Sequence, residues 1–377
     1  NPTVPNTVTF ANLFIGLSIT TAVGLLLVGS LNLLSIAFAV LFVGLGVDFG
    51  SQFSVRYRSE RFKNDNLVEA LVEGARRAAV PLSLSSSRVK AKALEIGFDL
   101  CGVARAARYP RLDRLAEWIA AGCAGDMHYL DDSLDERSDP QVTLPTARSV
   151  VSVACVYNTP QPYSASIAAP ERVRIARYAW GEDYHVVLRA RLRTLLAWMA
   201  DEVGPGLEAF SCVDDGPVQE RVFAEQAGLG WIGKNTCLIN AERGSWLVLG
   251  EILTNADLEP DAPAHDQCGT CTRCLDACPT GAIVEPYRVD ATRCLSYLTI
   301  EQRGPIEPSR RADIGPHIFG CDICQDVCPW NRRAATSDAP EWQPRAPLAF
   351  PRLIDLCEMS DDDWRRVLKG SALTRAG

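Results

Sequence analysis

The sequence has little histidine, no excess of positive charge and no character of a secreted disulfide scaffold. Four histidines among 377 residues offer few nitrogen ligands for zinc. A formal net charge of −8 excludes a globally basic surface, so a nucleic-acid partner would have to bind local patches. The chain carries 14 cysteines but is far longer than disulfide scaffolds, which favours a reducing cytoplasm as its location.

The first 55 residues lack charge except at Asp48. Two apolar stretches, residues 10–29 and 31–55, are each long enough to cross a bilayer as a helix. A basic leader and an initiator methionine are both missing, which argues against a signal peptide. Basic residues between Arg56 and Lys63 place that end on the cytoplasmic side, so the sequence predicts a hairpin with both ends inside.

Residues 1–85 resemble a transmembrane portion of hopanoid-associated transporters of the resistance, nodulation and division superfamily. The stretch LNLLSIAFAVLFVGLGVDFGSQFSVRYRSE carries the likeness. It implies a proton-coupling role for Asp48, and a carboxylate inside a membrane is a functional candidate by default. The helices that would partner this hairpin in a transporter are missing, so transport is the weakest hypothesis. We interpret residues 1–87 as the remnant of a fused or chimeric reading frame, which would tether the chain to a membrane only if the hairpin is genuine.

Cysteines between residues 268 and 328 have the spacing of iron–sulfur ligands. The first run reads CxxCxxCxxxCP, in which three thiolates hold one cluster and the fourth reaches across to a second. The second run reads CxxCxxxCP and lacks its first member, which Cys294 supplies if the intervening segment loops out. Zinc is the competing interpretation, but interlocked CxxxCP endings fit it poorly. The spacing predicts two 4Fe-4S clusters, one on Cys268, Cys271, Cys274 and Cys328, the other on Cys278, Cys294, Cys321 and Cys324.

Beyond a join at residues 82–88, the pattern is that of a soluble α+β protein. Apolar periodicity predicts helices at residues 89–96, 112–121, 186–202 and 219–227. Strands are predicted at residues 99–103, 149–157 and 246–253. The predicted segments are the hydrophobic hairpin at 1–87, a mixed α/β core at 88–260, a ferredoxin-like double-cluster module at 261–335 and a helical tail, minimal or truncated, at 336–377.

The stretch VDDGPVQERVFAEQAGLGWIGKNT, residues 213–236, contains GxxxxGK, the spacing of a phosphate loop. Asn235 stands where magnesium binding needs Ser or Thr, and Trp231 is bulky inside the loop. A helical run rather than a strand precedes it, so we reject nucleotide triphosphate binding. The glycines are predicted instead to let the backbone approach a large flat ligand closely.

Several unrelated motifs in this order resemble the epoxyqueuosine reductase family from about Arg88 to the C-terminus. They are IGFDLCGVA, GDMHYL, RYAWGEDYH, the 213–236 stretch, the CxxCxxCxxxCP run, LSYLTIE and FGCDICQDVCPWN. The resemblance implies a cobalamin-dependent iron–sulfur enzyme that performs the last step of queuosine synthesis in tRNA. It also implies two 4Fe-4S clusters, a base-off cobalamin with no protein histidine on cobalt, and an aspartate proton donor, which matches Asp214.

The resemblance extends to further positions. The positions that match its cobalamin pocket are Arg137, Arg177, Asp214, Lys234, Asn235, Ser296 and Asp322. Gln302 and Arg303 match its tRNA-facing surface. Taken singly, each arginine fits a surface ion pair equally well, and Ser296 fits a helix cap.

Three neighbouring positions need separate interpretation. As a proton donor, Asp214 needs a raised pKa, which burial against the corrin would supply. Asp215 is interpreted as a turn residue or a helix cap. His185 is interpreted as a core or pocket-edge histidine.

The implied partners are tRNA carrying epoxyqueuosine and an external low-potential electron donor, and the chain is predicted to be a monomer. Between Arg288 and Arg333 the sequence contains seven arginines and six acidic residues, so no continuous phosphate-binding track is evident. Two alternatives remain at this point. A reductive dehalogenase would also use cobalamin and two clusters but would carry a twin-arginine signal; a membrane-tethered ferredoxin-like electron carrier would need no cobalamin.

Overall fold

The computed structural model describes residues 84–346 and 348–375. The chain divides into two units between Ser85 and Ser86, inside the segment predicted as the join. The predicted hairpin, Asp48 and the transporter-like stretch lie outside the described residues. Among the residues that the structure does describe, no helix is long and apolar enough to cross a membrane.

Helices and strands alternate along the described chain, as the sequence predicts. The strands are β1 (Leu100–Arg105), β2 (Ser149–Val156), β3 (Arg174–Ile175), β4 (Ala209–Cys212), β5 (Trp231–Ile232), β6 (Leu238–Ile239), β7 (Leu247–Thr254), β8 (Ile283–Glu285), β9 (Arg288–Val289) and β10 (His317–Phe319). The α-helices are α1 (Ser86–Ile96), α2 (Arg114–Ala120), α3 (Tyr129–Asp132), α4 (Leu134–Ser138), α5 (Pro140–Thr143), α6 (Tyr184–Val203), α7 (Glu220–Gln226), α8 (Arg273–Ala277), α9 (Leu295–Ile300), α10 (Arg311–Ile314), α11 (Ile323–Asp326), α12 (Leu353–Cys357) and α13 (Asp361–Leu368).

The core is an antiparallel sheet in the order β1-β2-β7-β4. Its central strand β2 reads SVVSVACV, and all eight residues are buried. Valine suits a pleated surface, and the near-continuous apolar run indicates a strand that is covered on both faces. Helices packed on an antiparallel sheet give the mixed α and β fold that the sequence predicts.

Two helices cover opposite faces of this sheet. Leu192 of α6 packs against Gly250 of β7, where an added Cβ would lie 3.0 Å from the leucine side chain. On the other face Phe223 of α7 packs in one apolar cluster with Val150 and Leu253. Adjacent residues of a strand point to opposite faces, so Gly250 and Leu253 lie on different sides. Residues at the start of α7 are therefore placed directly over the centre of the sheet.

The C-terminal segment packs against residues 173–182. Glu182 N donates to the Glu341 carbonyl oxygen at 2.7 Å. The rings of Trp180 and Phe350 meet edge to face with 5.2 Å between their centroids. The segment predicted as a helical tail thus contains α12 and α13 and contributes Leu348, Phe350 and Ala372 to a shared apolar cluster.

Gly102 of β1 marks a close approach between the sheet and the end of α7. A Cβ at this position would lie 2.1 Å from the backbone carbonyl oxygen of Ala227. We expect Gly102→Ala to lower the free energy of unfolding by about 3 kcal/mol, because forcing atoms into a packed core costs that order of energy. Thermal unfolding checks this against Gly206→Ala, whose added Cβ would meet nothing within 4 Å. Equal shifts in the two variants would contradict the steric explanation.

Candidate functional site

Four cysteines from two distant segments line one small pocket. Three come from the loop before α8 and its first turn, and the fourth follows α11; they are Cys268, Cys271, Cys274 and Cys328. Trp231 and Trp330 pack in one cluster with Cys328 and form an apolar wall. Within the described residues no group of three or more His, Cys, Asp or Glu is placed to hold a single metal ion. A set of four thiols bordering a pocket suits a cubane cluster.

The second set gathers around Cys321. Burial raises the pKa of the Cys321 thiol to about 12, and the nearby thiols of Cys294 and Cys278 act in the same direction. The pKa of the Cys324 thiol is raised most by its hydrogen bond with Cys237 and next by burial, and Cys321 and Cys294 act in the same direction. Cys294 caps the start of α9 and packs in the same apolar cluster as Cys321. The displaced cysteine thus lies with the set that it was predicted to complete.

Cys237 also belongs to this centre, which the sequence did not indicate. Its thiol is hydrogen-bonded to the thiol of Cys324, and it lies near Cys328 of the first set. Six cysteines, Cys237 among them, stand singly among apolar or small residues in the sequence, which predicts buried apolar side chains for all six. That interpretation is wrong for Cys357, which is exposed. The available signal for Cys237 was its position directly after GKNT.

The segment GKNT is the turn of a hairpin in which β5 pairs with β6. Lys234 Nζ donates to the carbonyl oxygens of Gly269 at 2.7 Å and Cys271 at 3.0 Å. Asn235 Nδ2 donates to the Cys324 carbonyl oxygen at 3.3 Å. Both side chains were predicted to line a cofactor pocket, and the structure places them against the backbone of the cysteine loops.

The glycines before this turn make close contacts with protein. A Cβ on Gly230 would lie 2.3 Å from the carbonyl oxygen of Ile239. Gly228 has φ 76°, and a Cβ there would lie 2.7 Å from the carbonyl oxygen of Ala262. The prediction that these glycines admit a flat ligand is therefore wrong for these two positions, because protein backbone fills the space.

A second, larger pocket of about 610 Å³ lies beside the cysteine centre. This volume is typical of sites for organic ligands. Its described lining residues include no histidine; they combine arginines, acids and apolar side chains, among them Arg111, Trp118, Met127, Arg137, Asp214, Glu220, Ile232 and Tyr287. Thr236 also lines the pocket and directly precedes Cys237, so its wall adjoins the second cysteine set.

Asp214 lies at the rim of this pocket in a left-handed backbone conformation, with φ 59°. The Tyr184 hydroxyl donates to its Oδ2, and His185 Nε2 lies 3.8 Å from the same oxygen. The Asp214 backbone N donates to Glu220 Oε1 at 2.6 Å. The side chain of Asp214 is 62% exposed. The polypeptide alone therefore does not supply the burial that the sequence analysis expected for this carboxyl.

Two further acids lie near Asp214, and of these Glu220 is half-buried and Glu251 is fully buried. Burial, and next the charge of Asp214, raise the pKa of Glu220 to about 8. Burial also raises the pKa of Glu251 well above its usual range, with Glu220 acting in the same direction. Ser152 Oγ donates to Glu251 Oε2 at 2.6 Å, while Oε1 has no partner among the described residues. Neither glutamate was a candidate from the sequence.

Arg177 and Asp322 make internal contacts outside the larger pocket. The Arg177 guanidinium donates to the carbonyl oxygens of Thr159 and Pro162 and lies 4.6 Å from the centroid of the Trp180 ring. Asp322 Oδ2 accepts from the Arg177 backbone N at 2.7 Å. Burial raises the pKa of Asp322 to about 7. These contacts fix the segment that precedes α6.

The remaining candidates are spread over the surface and the loops. Arg137 lines the larger pocket and donates to Ser133 Oγ at 2.9 Å. Ser296 is half-buried on α9 and hydrogen-bonds the thiol of Cys294. Gln302 and Arg303 follow α9, and Arg303 is exposed.

The two residues interpreted without catalytic roles have local partners. Asp215 forms an ion pair with Arg189 and accepts from the Val213 backbone N at 3.2 Å, as a turn residue would. His185 is buried, with Nδ1 2.7 Å from Asp183 Oδ1. It is a core histidine whose other ring nitrogen faces Asp214.

Family models match both halves of this arrangement. Residues 267–331 match a 4Fe-4S double cluster binding domain. Residues 137–215 match the model described as epoxyqueuosine reductase QueG, DUF1730. The matched region holds all eight predicted ligands, so four-iron clusters are confirmed over zinc. The class is a two-cluster iron–sulfur oxidoreductase.

Individual proteins narrow the class. Epoxyqueuosine reductase of Gloeobacter violaceus is 46% identical over 299 residues, which cover 77% of this chain and 91% of that protein. A crystal structure of epoxyqueuosine reductase with an epoxyqueuosine-modified tRNA stem loop aligns with TM-score 0.68 and 34% identity, covering 76% of each chain. The Bacillus subtilis enzyme aligns with TM-score 0.68 and 33% identity, covering 76% of each chain, and has its aspartate catalytic loop swung out of the active site. The chain belongs to the epoxyqueuosine reductase family.

Proposed function

We propose that this protein reduces epoxyqueuosine to queuosine in tRNA. The observation that carries the proposal is the juxtaposition of two complete cysteine sets with a pocket that holds a carboxyl group, Asp214. Removing the epoxide oxygen as water consumes two electrons and two protons, so a reductase needs an electron supply and an acid at one place. The crystallised relative with a modified stem loop supports tRNA as the substrate.

The larger pocket suits a base-off cobalamin. It is lined by Arg137 and Asp214, which the family resemblance assigns to cobalamin, and by the apolar side chains of Trp118 and Met127. No described lining residue is a histidine, which agrees with cobalt that takes no imidazole from the protein. When bound, cobalamin supplies a low-potential metal centre that can collect electrons from the clusters.

The residues of the chain have three further roles, namely access for the electron donor, contact between the clusters and the pocket, and proton donation. The cysteine loop around the first set is largely exposed, so an external low-potential donor can deliver electrons there. The second set adjoins the pocket through Cys237 and Thr236. Asp214 is the acid that protonates the leaving oxygen, and Tyr184 orients its carboxyl through a hydrogen bond. We assign tRNA contacts to Gln302 and Arg303. Lys234, Asn235 and Ser296 support the cysteine loops, and Arg177 with Asp322 holds the segment that precedes α6.

This activity places the protein in the cytoplasm, where tRNA is processed, and a monomer is sufficient for it. The proposal concerns the chain from residue 88 onward. The predicted hairpin and its possible membrane association stay predictions.

Anaerobic reconstitution tests the function directly. We expect about eight irons per chain and a corrinoid absorption spectrum after incubation with cobalamin. With a low-potential reductant, an epoxyqueuosine-containing stem loop should lose one oxygen atom by mass spectrometry. Omitting cobalamin is the matched control and should abolish the conversion. A protein with both clusters and bound cobalamin that leaves the epoxide intact would contradict the proposal.

A further inference from the structure

Asp214 has an unusual backbone conformation, and a neighbouring group must hold the loop in it. A residue other than glycine with positive φ is uncommon, and aspartate is among the few that adopt it. In the Bacillus subtilis relative an aspartate catalytic loop is found swung out of the active site, so a loop of this kind has more than one position. Whatever fixes the Asp214 backbone in this structure therefore also fixes where its carboxyl points.

Glu220 is the group that fixes it. The Asp214 backbone N donates to Glu220 Oε1 at 2.6 Å, across a loop of five intervening residues. Glu220 is the first residue of α7, and α7 packs through Phe223 and Val222 on the central sheet. The acceptor is thus anchored to a rigid element, whereas the donor is on a loop. Glu220 also lines the larger pocket beside Asp214.

We propose that Glu220 is the positioning residue for the proton donor, a half-buried carboxyl that latches the Asp214 loop in its catalytic position. The inference rests on the proposed function for the meaning of that position. The latch itself is a property of the polypeptide and can be measured without substrate or cofactor.

The surroundings of Glu220 explain why a carboxyl can be held there. The ionisable groups around Glu220 lie on the Asp214 loop, the sheet, α6 and α7 itself. They are Tyr184, Cys212, Asp214, Asp215, Arg221 and Glu251. Because burial raises its pKa to about 8, Glu220 is mostly neutral at pH 7 and accepts the backbone hydrogen bond without adding charge beside Asp214. Ionisation of Glu220 at higher pH puts a negative charge next to the Asp214 side chain and opposes the closed loop.

Two substitutions separate the latch from general packing. Glu220→Gln keeps an oxygen acceptor of similar size, and Glu220→Leu removes it. In hydrogen exchange followed by mass spectrometry, the peptide spanning residues 212–216 should exchange about tenfold faster in Glu220→Leu and at the wild-type rate in Glu220→Gln, which is the effect of losing one such hydrogen bond. Peptides of α6 and the central sheet should be unchanged. Equal exchange of the 212–216 peptide in all three proteins would overturn the proposal.

Kinetics supply the second readout. In single-turnover reduction of the modified stem loop, the rate constant of Glu220→Leu should be about tenfold lower than that of the wild type. In steady-state turnover its KM for the stem loop should be unchanged, as expected when only positioning is lost. Both proteins need a protonated donor and should slow as the pH rises, but the wild type should show an additional fall above pH 8 that Glu220→Gln lacks, because an amide does not titrate. A Glu220→Gln profile that matches the wild type would overturn the proposed pH dependence. Absence of turnover in the wild-type holoenzyme would refute the proposed function and leave the exchange result intact.

Discussion

Asp214→Asn should lose at least about 100-fold in the rate of epoxyqueuosine reduction while keeping its iron and its corrinoid spectrum, since general acid catalysis contributes about 10²–10⁴-fold. Asparagine accepts left-handed backbone as readily as aspartate, so the loop at φ 59° is preserved. The Asn side chain can still accept from the Tyr184 hydroxyl but has no acidic proton to give. The measurement is single-turnover conversion of a modified stem loop under anaerobic conditions.

The matched control is Asp215→Asn in the same loop. Asp215 pairs with Arg189 and accepts from the Val213 backbone N, and neither contact reaches the leaving oxygen of a substrate in the pocket. We expect its rate to stay within about threefold of the wild type, as for a solvent-exposed ion pair. Wild-type rates in Asp214→Asn would transfer the acid role to another pocket residue. Equal losses in both variants would indicate damage to the loop rather than loss of a proton.

Local spacing made the cluster ligands readable from the sequence. The runs CxxCxxCxxxCP and CxxCxxxCP place three ligands of the first set and two of the second within a dozen residues each, and proline and cysteine positions carry the pattern without knowledge of the fold. Cys294 required one further assumption, that its segment loops out towards Cys321. In the structure, Cys294 lies between a short turn and the start of α9, which agrees with this assumption. The strands β1, β2 and β7 could also be predicted, because each contains a short apolar run, and β2 is rich in valine.

The polar surroundings of Asp214 depend on strand register, which the sequence did not reveal. Ser152 lies opposite both Gly102 and Glu251, and Glu251 lies opposite Cys212. These four residues form one row across the sheet, although they are separated by up to about 150 positions in the sequence. A one-residue shift in strand register would turn the row to the other face of the sheet. The burial of Glu251, which raises the pKa of its carboxyl well above the usual range, follows from that pairing. Strand β4, which completes the row, was not predicted.

Side-chain direction decides which contacts the predicted pocket residues make with the protein. Lys234 and Asn235 lie in a motif shared with the family, and the motif alone does not say which way a turn residue points. The hairpin of β5 and β6 directs both side chains to carbonyl oxygens of the cysteine loops. Arg177 is a comparable case, since its guanidinium is saturated by carbonyl oxygens and an aromatic ring. Position in a motif predicted proximity to the site but not the contacts made there.

Cys294→Ala should lower the iron content from about eight to about four per chain and abolish turnover, because one cluster loses a ligand. The competing fourth ligand of the second set is Cys237, whose thiol is hydrogen-bonded to Cys324. Two observations favour Cys294. It influences the Cys321 thiol together with Cys278, and it packs beside Cys321 in one apolar cluster. Cys237 instead lies between the two sets, near Cys328 as well as Cys324.

Cys237→Ala is therefore the discriminating control, and it should retain about eight irons per chain because neither cluster loses a ligand. Iron and sulfide analysis after anaerobic reconstitution, with electron paramagnetic resonance of the reduced proteins, measures both variants. Thermal unfolding of each apoprotein separates ligand loss from misfolding. If Cys237→Ala loses four irons and Cys294→Ala keeps them, the ligand sets are misassigned. If each variant loses one cluster, the thiol of Cys237 is needed to hold Cys324 in place for the second cluster.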